Sequence, residues 1–203
     1  PGAVAGVINL IPPLPARSGG HVQAGVDVLE GTPQKNADVR LDLVAKDADA
    51  GLSVIAQRNW NSGIDYNGDG YTEITRKNLK VGGLQAWYAP TPGTRLRLDL
   101  QVTDETRRGG NRLDQPEYLA NIAESLDTKY RRGSVSWDQE ITADVDFRLA
   151  YAFADIDRDS FYGGLGDVVT DPSAPGHDPL QLDRNLAGSA ASRSWRQYGR
   201  THN

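Results

Sequence analysis

The chain has 203 residues, a formal net charge of −5 and a mean hydropathy of −0.54. That length suffices for one ordinary domain, and the mixed, mildly acidic charge argues against a nucleic-acid binder. Cysteine is absent, which excludes disulfides, thiol chemistry and thiolate metal sites, and no apolar run approaches the ~18 residues that a membrane helix needs.

In chain order, Val4, Val7, Ile8 and Ile11 with intervening small residues predict a buried strand, and Pro12, Pro13 and Pro15 end it in a linker. From His21 to Val28, apolar Val22, Ala24, Val26 and Val28 alternate with other residues; Val39, Leu41 and Leu43 repeat the pattern over 37–43. Weaker strands are expected at about 51–60, 78–89 and 130–141. The clearest alternation is Leu96, Leu98, Leu100 and Val102 against Arg95, Arg97, Asp99 and Gln101, a period of two that fits a strand and no helix. Val145, Phe147, Leu149, Tyr151 and Phe153 alternate over 144–153, and an eighth strand begins near Ser192. Asp114-Gln-Pro-Glu117 reads as a helix cap, with Leu119, Ile122, Ala123 and Leu126 at helical spacing behind it, predicting a short helix over about 116–127.

The connections divide by length. Tight turns are predicted at 47–51, 91–94 and 142–144, and long loops at about 61–76, 107–129 and 160–191. Long and short connections alternate, which is the habit of an outer-membrane β-barrel: short turns on one side of the membrane, long loops on the other. Arg95, Arg97, Asp99, Arg148, Arg40 and Asp42 are then expected to line the interior. Asp155, Asp157 and Asp159 share the parity of the apolar side chains before them. Carboxylates do not face hydrocarbon, so the membrane border falls between Phe153 and Asp155, with Tyr151 and Phe153 as an aromatic girdle. A soluble β-sandwich of the binding or adhesin kind, and a passive porin or an enzyme built on an outer-membrane barrel, are the alternatives.

Gly2-Ala-Val-Ala-Gly-Val-Ile-Asn-Leu-Ile11 resembles the closing segment of the plug domain of TonB-dependent outer-membrane receptors, with Leu10 in place of the usual Ile. Asp65 to Glu73 and Arg107 to Asp114 resemble external-loop segments of the siderophore and cobalamin receptors within that family. The resemblance implies residues 1–16 as the end of a plug with its linker, and 17–203 as the first part of the barrel. The expected fold is an all-β antiparallel meander of about seven or eight transmembrane strands, cut from a 22-stranded barrel. It implies TonB-driven uptake of a scarce nutrient, a ferric siderophore before cobalamin or an oligosaccharide. The implied partners are TonB, a small nutrient chelate, and outer-membrane lipid with lipopolysaccharide. No enzyme activity is expected, since no Ser-His-Asp set, P-loop or zinc motif is present.

Two groups are candidate sites. Asp65, Asn67 and Asp69 with Gly70 match the first half of a calcium loop, Tyr71 offers a carbonyl and Glu73 sits at position nine. Position twelve is Arg76, where an EF-hand has Glu, so the alternative is a plain Asp/Asn/Gly turn. Arg107, Arg108 and Arg112, with Arg131 and Arg132 further on, suit a planar oxyanion such as a ferric chelate; the alternatives are lipid phosphate or solvated charge. His21, His177 and His202 are too scattered to hold a metal.

Overall fold

The computed structural model describes residues 14–163, Ser173 and 195–202. They form one antiparallel sheet of eight strands in simple chain order: β1 (Gly19–Leu29), β2 (Thr32–Val44), β3 (Ala50–Asn61), β4 (Thr72–Thr91), β5 (Thr94–Gly110), β6 (Ala123–Thr142), β7 (Val145–Gly163) and β8 (Trp195–His202). β1 and β8 are its two edges. The all-β meander expected from the alternation is therefore present as a single open sheet, not as a two-sheet sandwich. The plug-like segment 2–11 and most of the predicted loop 160–191 lie outside the described residues.

One end of the sheet carries the tight connections, 45–49, 92–93 and 143–144. The other carries 30–31, 62–71 and 111–122, and β7 ends and β8 begins there. Among the described residues the long connections sit at one end, as expected, although the first on that side is a two-residue hairpin. Glu30 and Gly31 both have positive φ, 48° and 75°, the geometry whose twist matches a tight hairpin.

The strands run further toward the long-loop end than hydropathy indicates. β5 continues to Gly110, β6 begins at Ala123 and β7 continues to Gly163. These extensions are mostly polar and show no apolar alternation, yet each is paired on both sides. Residues of opposite charge alternate along one row: Lys80 lies opposite Asp104, Asp104 opposite Lys129, and Lys129 opposite Asp157, an order that avoids like-charge repulsion between these neighbours.

The helix expected over 116–127 is corrected to a single 3-10 turn, Glu117–Leu119. Pro116 starts it, and the amides of Leu119 and Ala120 donate to the carbonyls of Pro116 and Glu117 at 3.0 and 3.3 Å. At Ala123 the chain is already paired with Gly110 and Gly163. Ladder bonds on two flanks outweigh the propensity of one isolated turn.

Among the described residues few apolar side chains are buried: Ile64, Ala120, Ala123, Leu126 and Phe161. All lie at the long-loop end, where Ala120, Ala123 and Phe161 form a small cluster, and the rest of the described sheet has no hydrophobic core.

Candidate functional site

Because side chains alternate along each strand, the register defines two faces. One carries Val22, Val39, Val54, Leu84, Leu100, Val135 and Tyr151 in neighbouring strands; the other carries Arg40, Asp42, Ser53, Gln85, Asp99 and Arg148. The apolar face is the exposed one. Val22 is 76 % exposed, Tyr151 66 % and Leu149 58 %, whereas Ser53 on the polar face is fully buried. A water-soluble sheet has the opposite arrangement. The patch crosses seven strands, well beyond the few hundred Å² that soluble monomers expose.

Its borders are slanted. Val22 shares a row with Val39, Ala56, Gly82, Val102, Arg131 and Asp155. On β2 the apolar run ends at Ala37, two residues above that row and just below Lys35; on β7 it stops at Phe153, two below. Four residues rise ~13 Å and five strand spacings cover ~24 Å, so the upper border runs at roughly 30° to the rows. The lower border agrees: Leu43 shares a row with Tyr151, and β7 continues six residues further down to apolar Val145.

The band is packed within itself. Gly133 leaves room for a ring: a Cβ there would stand 2.5 Å from Phe153 Cε1 and 2.7 Å from Leu100 Cδ2. Trp137 and Phe147 meet edge to face, 5.7 Å between centroids.

The polar face is a hydrogen-bonded lattice. Arg40 Nε donates to both oxygens of Asp42 at 3.0 Å, and the Ser53 hydroxyl donates to Asp42 Oδ1 at 2.5 Å. Gln85 donates to Asp99 at 2.9 Å and Arg132 Nε to Gln101 at 2.9 Å. Gln34 Nε2, Gln85 Oε1, Trp87 Nε1, Arg97 Nε and Arg107 Nε are buried without a protein partner. All belong to this face, which therefore suits contact with water or a polar element.

The loop 62–71 gathers the acidic residues singled out in the sequence. Ile64 and Ile74 bridge its base, with Ile64 buried. Asp65, Asp69 and Glu73 each place a carboxylate oxygen within 4.8 Å of the others, all exposed. An ion bound at 2.3–2.6 Å would span such a gap. Backbone amides hold the carboxylates in position: Gly68 and Gly70 donate to Asp65 at 2.8 and 2.7 Å, Tyr71 to Asp69 at 2.8 Å, and Tyr66 to Glu73 at 2.6 Å. Asn67 turns its amide toward Asp69 at 3.0 Å. The left-handed φ of Gly68 and Gly70 makes the bend. Tyr71 contributes its backbone to the same turn.

The three arginines do not all meet: Arg107 and Arg108 line one cleft, and Arg112 does not. Arg107 lies on the polar face and pairs with Glu105 at 2.9 Å. Arg108 has the opposite parity and is buried; it donates to the carbonyls of Gly109 and Asn111. Burial lowers its pKa from the usual guanidinium range, with Glu117 acting against this. Arg112 donates to Leu119 O at 3.2 Å. Arg108 and Arg112 thus fasten the loop 111–122. Tyr118 packs against Ala123 and Phe161, both of the apolar-face parity, so this loop leans over that face. The cleft beneath it, lined by Arg76, Thr106, Arg108, Gln115, Glu117 and Asp127, holds about 250 Å³, below the usual range for a small-molecule pocket. Comparison with protein-family models, with curated proteins and with solved structures gives no match.

Proposed function

We propose that the chain is the first part of a TonB-dependent outer-membrane receptor: eight strands of a larger, 22-stranded barrel whose apolar face meets lipid and whose polar face meets the lumen. The observation that carries the reading is the exposed, slanted apolar band. Strands in such barrels tilt by about 35–45°, and a band level with the membrane would cross tilted strands on a slant of this kind. The run from Val145 to Phe153 spans ~27 Å along the strand, or ~20 Å of depth at that tilt, near the height of a barrel's apolar belt. An open sheet whose first and last strands each lack a second neighbour among the described residues fits a portion of such a barrel, since a barrel leaves no edges.

The transport function rests on the plug-like segment Gly2 to Ile11 and on the receptor-like loop segments. The receptor imports a ferric siderophore, with TonB supplying energy and no covalent chemistry performed. Arg107, on the lumen side, is the arginine of the three placed to meet the ligand inside. The deciding experiment is uptake by cells carrying the intact receptor, with ferric siderophore, cobalamin and oligosaccharide offered in parallel, with and without TonB. TonB-dependent uptake of iron chelate is expected. Uptake independent of TonB would overturn the class, and uptake of cobalamin or sugar alone would change the ligand.

The 62–71 loop is a weak calcium site in this reading, its ligands Asp65, Asp69 and Glu73 with Asn67 and the Tyr71 carbonyl. Extracellular modules bind calcium with dissociation constants of roughly 10⁻⁴–10⁻³ M. Terbium luminescence displaced by calcium in the wild type, and lost in Asp65→Asn with Glu73→Gln, is the expected outcome.

A further inference from the structure

Just above the apolar band, on the same face, three cations gather on adjacent strands. Arg58 of β3 lies directly opposite Lys80 of β4, and Lys35 of β2 lies opposite Trp60, two residues above Arg58 on the same face. All three are exposed. Like charges facing each other across a ladder are unfavourable unless an anion joins them. Among the described residues none of the three forms an ion pair within 4.0 Å. Asp104 faces Lys80 from its other flank in β5.

Arg58 is also held in place. Its Nε donates to Asn78 Oδ1 at 3.0 Å, and its guanidinium lies 4.8 Å from the centroid of the Trp60 ring. Such an arginine loses little freedom on binding an oxyanion. Immediately below the cations the face is low: Ala37, Ala56 and Gly82 occupy the next positions, with Val39 and Val102 beside them. A cationic, aromatic-backed rim above a shallow apolar trough matches a molecule with an anionic head and a hydrocarbon tail.

We propose that Lys35, Arg58 and Lys80, with Trp60 and Asn78, form a binding site for the phosphate headgroup of an anionic membrane lipid, whose acyl chain lies over Ala37, Ala56 and Gly82. The proposal rests on the outer-membrane reading and names a lipid partner of its lipid-facing surface. The phosphate joins the opposed cations, and the trough admits the chain close to the sheet.

The test uses the intact receptor in phosphatidylcholine vesicles containing a minor fraction of spin-labelled phosphatidic acid. Electron paramagnetic resonance reads its association relative to labelled phosphatidylcholine. The wild type prefers phosphatidic acid. Lys35→Gln, Arg58→Gln and Lys80→Gln each lower that preference by roughly fivefold. Arg58→Lys and Lys80→Arg keep most of it, which separates charge from misfolding. Equal association of both lipids with the wild type, or a preference retained in the triple glutamine variant, overturns the site and leaves the membrane reading standing. Failure of the receptor to insert into either vesicle overturns both. Displacement of the lipid by inorganic phosphate at matched ionic strength, beyond that caused by chloride, would assign a site for free phosphate and overturn the lipid.

Discussion

Replacing Leu149 by Arg separates a lipid-facing sheet from a soluble one. Leu149 is the central residue of β7's apolar run and is 58 % exposed. In water such a side chain has little packing to lose, and the substitution should move stability by no more than ~0.5 kcal/mol. In a bilayer the guanidinium would stand near the midplane, where the penalty is about 2–4 kcal/mol, falling to about 0–1 kcal/mol near the interfaces. Phe153 is four residues further along the strand, ~10 Å nearer the surface at the inferred tilt, so Phe153→Arg should cost the smaller amount, with loss of the contact beside Gly133 added. Ala150→Arg points to the polar face and should cost little through the lipid. Urea titration of the intact receptor refolding into phosphatidylcholine vesicles measures all three. A Leu149→Arg variant as stable as the wild type, or a larger penalty at Ala150 than at Leu149, would refute the assignment of faces.

Gly133→Ala places a methyl against Phe153 and Leu100 and should destabilise by about 1–3 kcal/mol through overpacking; the same titration checks it, and a neutral result would show that the ring moves freely. Asp127 lies above the band and faces Asp159 across the ladder. Burial, then the charges of Asp104 and Asp159, raise its pKa above the usual carboxylate value, with Lys129 opposing. Its ionisation therefore costs stability, absent below the unfolded pKa of ~3.9 and complete only above the raised folded value. Asp127→Asn should stabilise at neutral pH and do nothing at pH ~3; a gain of equal size at both would show another cause. Leu98→Arg on β5, also within the band, should carry a penalty of about 2–4 kcal/mol in lipid, and its absence would confine the lipid-facing surface to β7.

The legible parts of this fold are those where hydropathy and backbone period coincide. Leu96 to Val102 and Val145 to Phe153 declare their strands because apolar and polar residues alternate in step with the pleat. The turns at 92–93 and 143–144 declare theirs through Pro, Gly and Asp. Asp104 to Gly110 and Ala123 to Lys129 are strands too, but neither has a regular apolar face, so only their pairing reveals them. Pro116 and Glu117 carry a true helix-start signal, realised in one 3-10 turn because the ladder captures the chain at Ala123. The acidic loop is legible because its ligands are close in sequence. The lipid-headgroup cluster is not, since Lys35, Arg58 and Lys80 meet only through the register of three strands. The slant of the apolar band is hidden for the same reason: it is a relation between strands that no single strand contains.

The most direct test of the lipid-facing sheet uses the absence of native cysteine in this chain. Single cysteines placed at each position from 145 to 159 of the intact receptor, in its native outer membrane, are labelled with a polarity-sensitive fluorophore. The account predicts blue-shifted emission at 145, 147, 149, 151 and 153, polar emission at 146, 148, 150 and 152, and a return to polar emission on both parities from 155 onward. Uniformly polar emission, or an apolar signal on both parities, would contradict it.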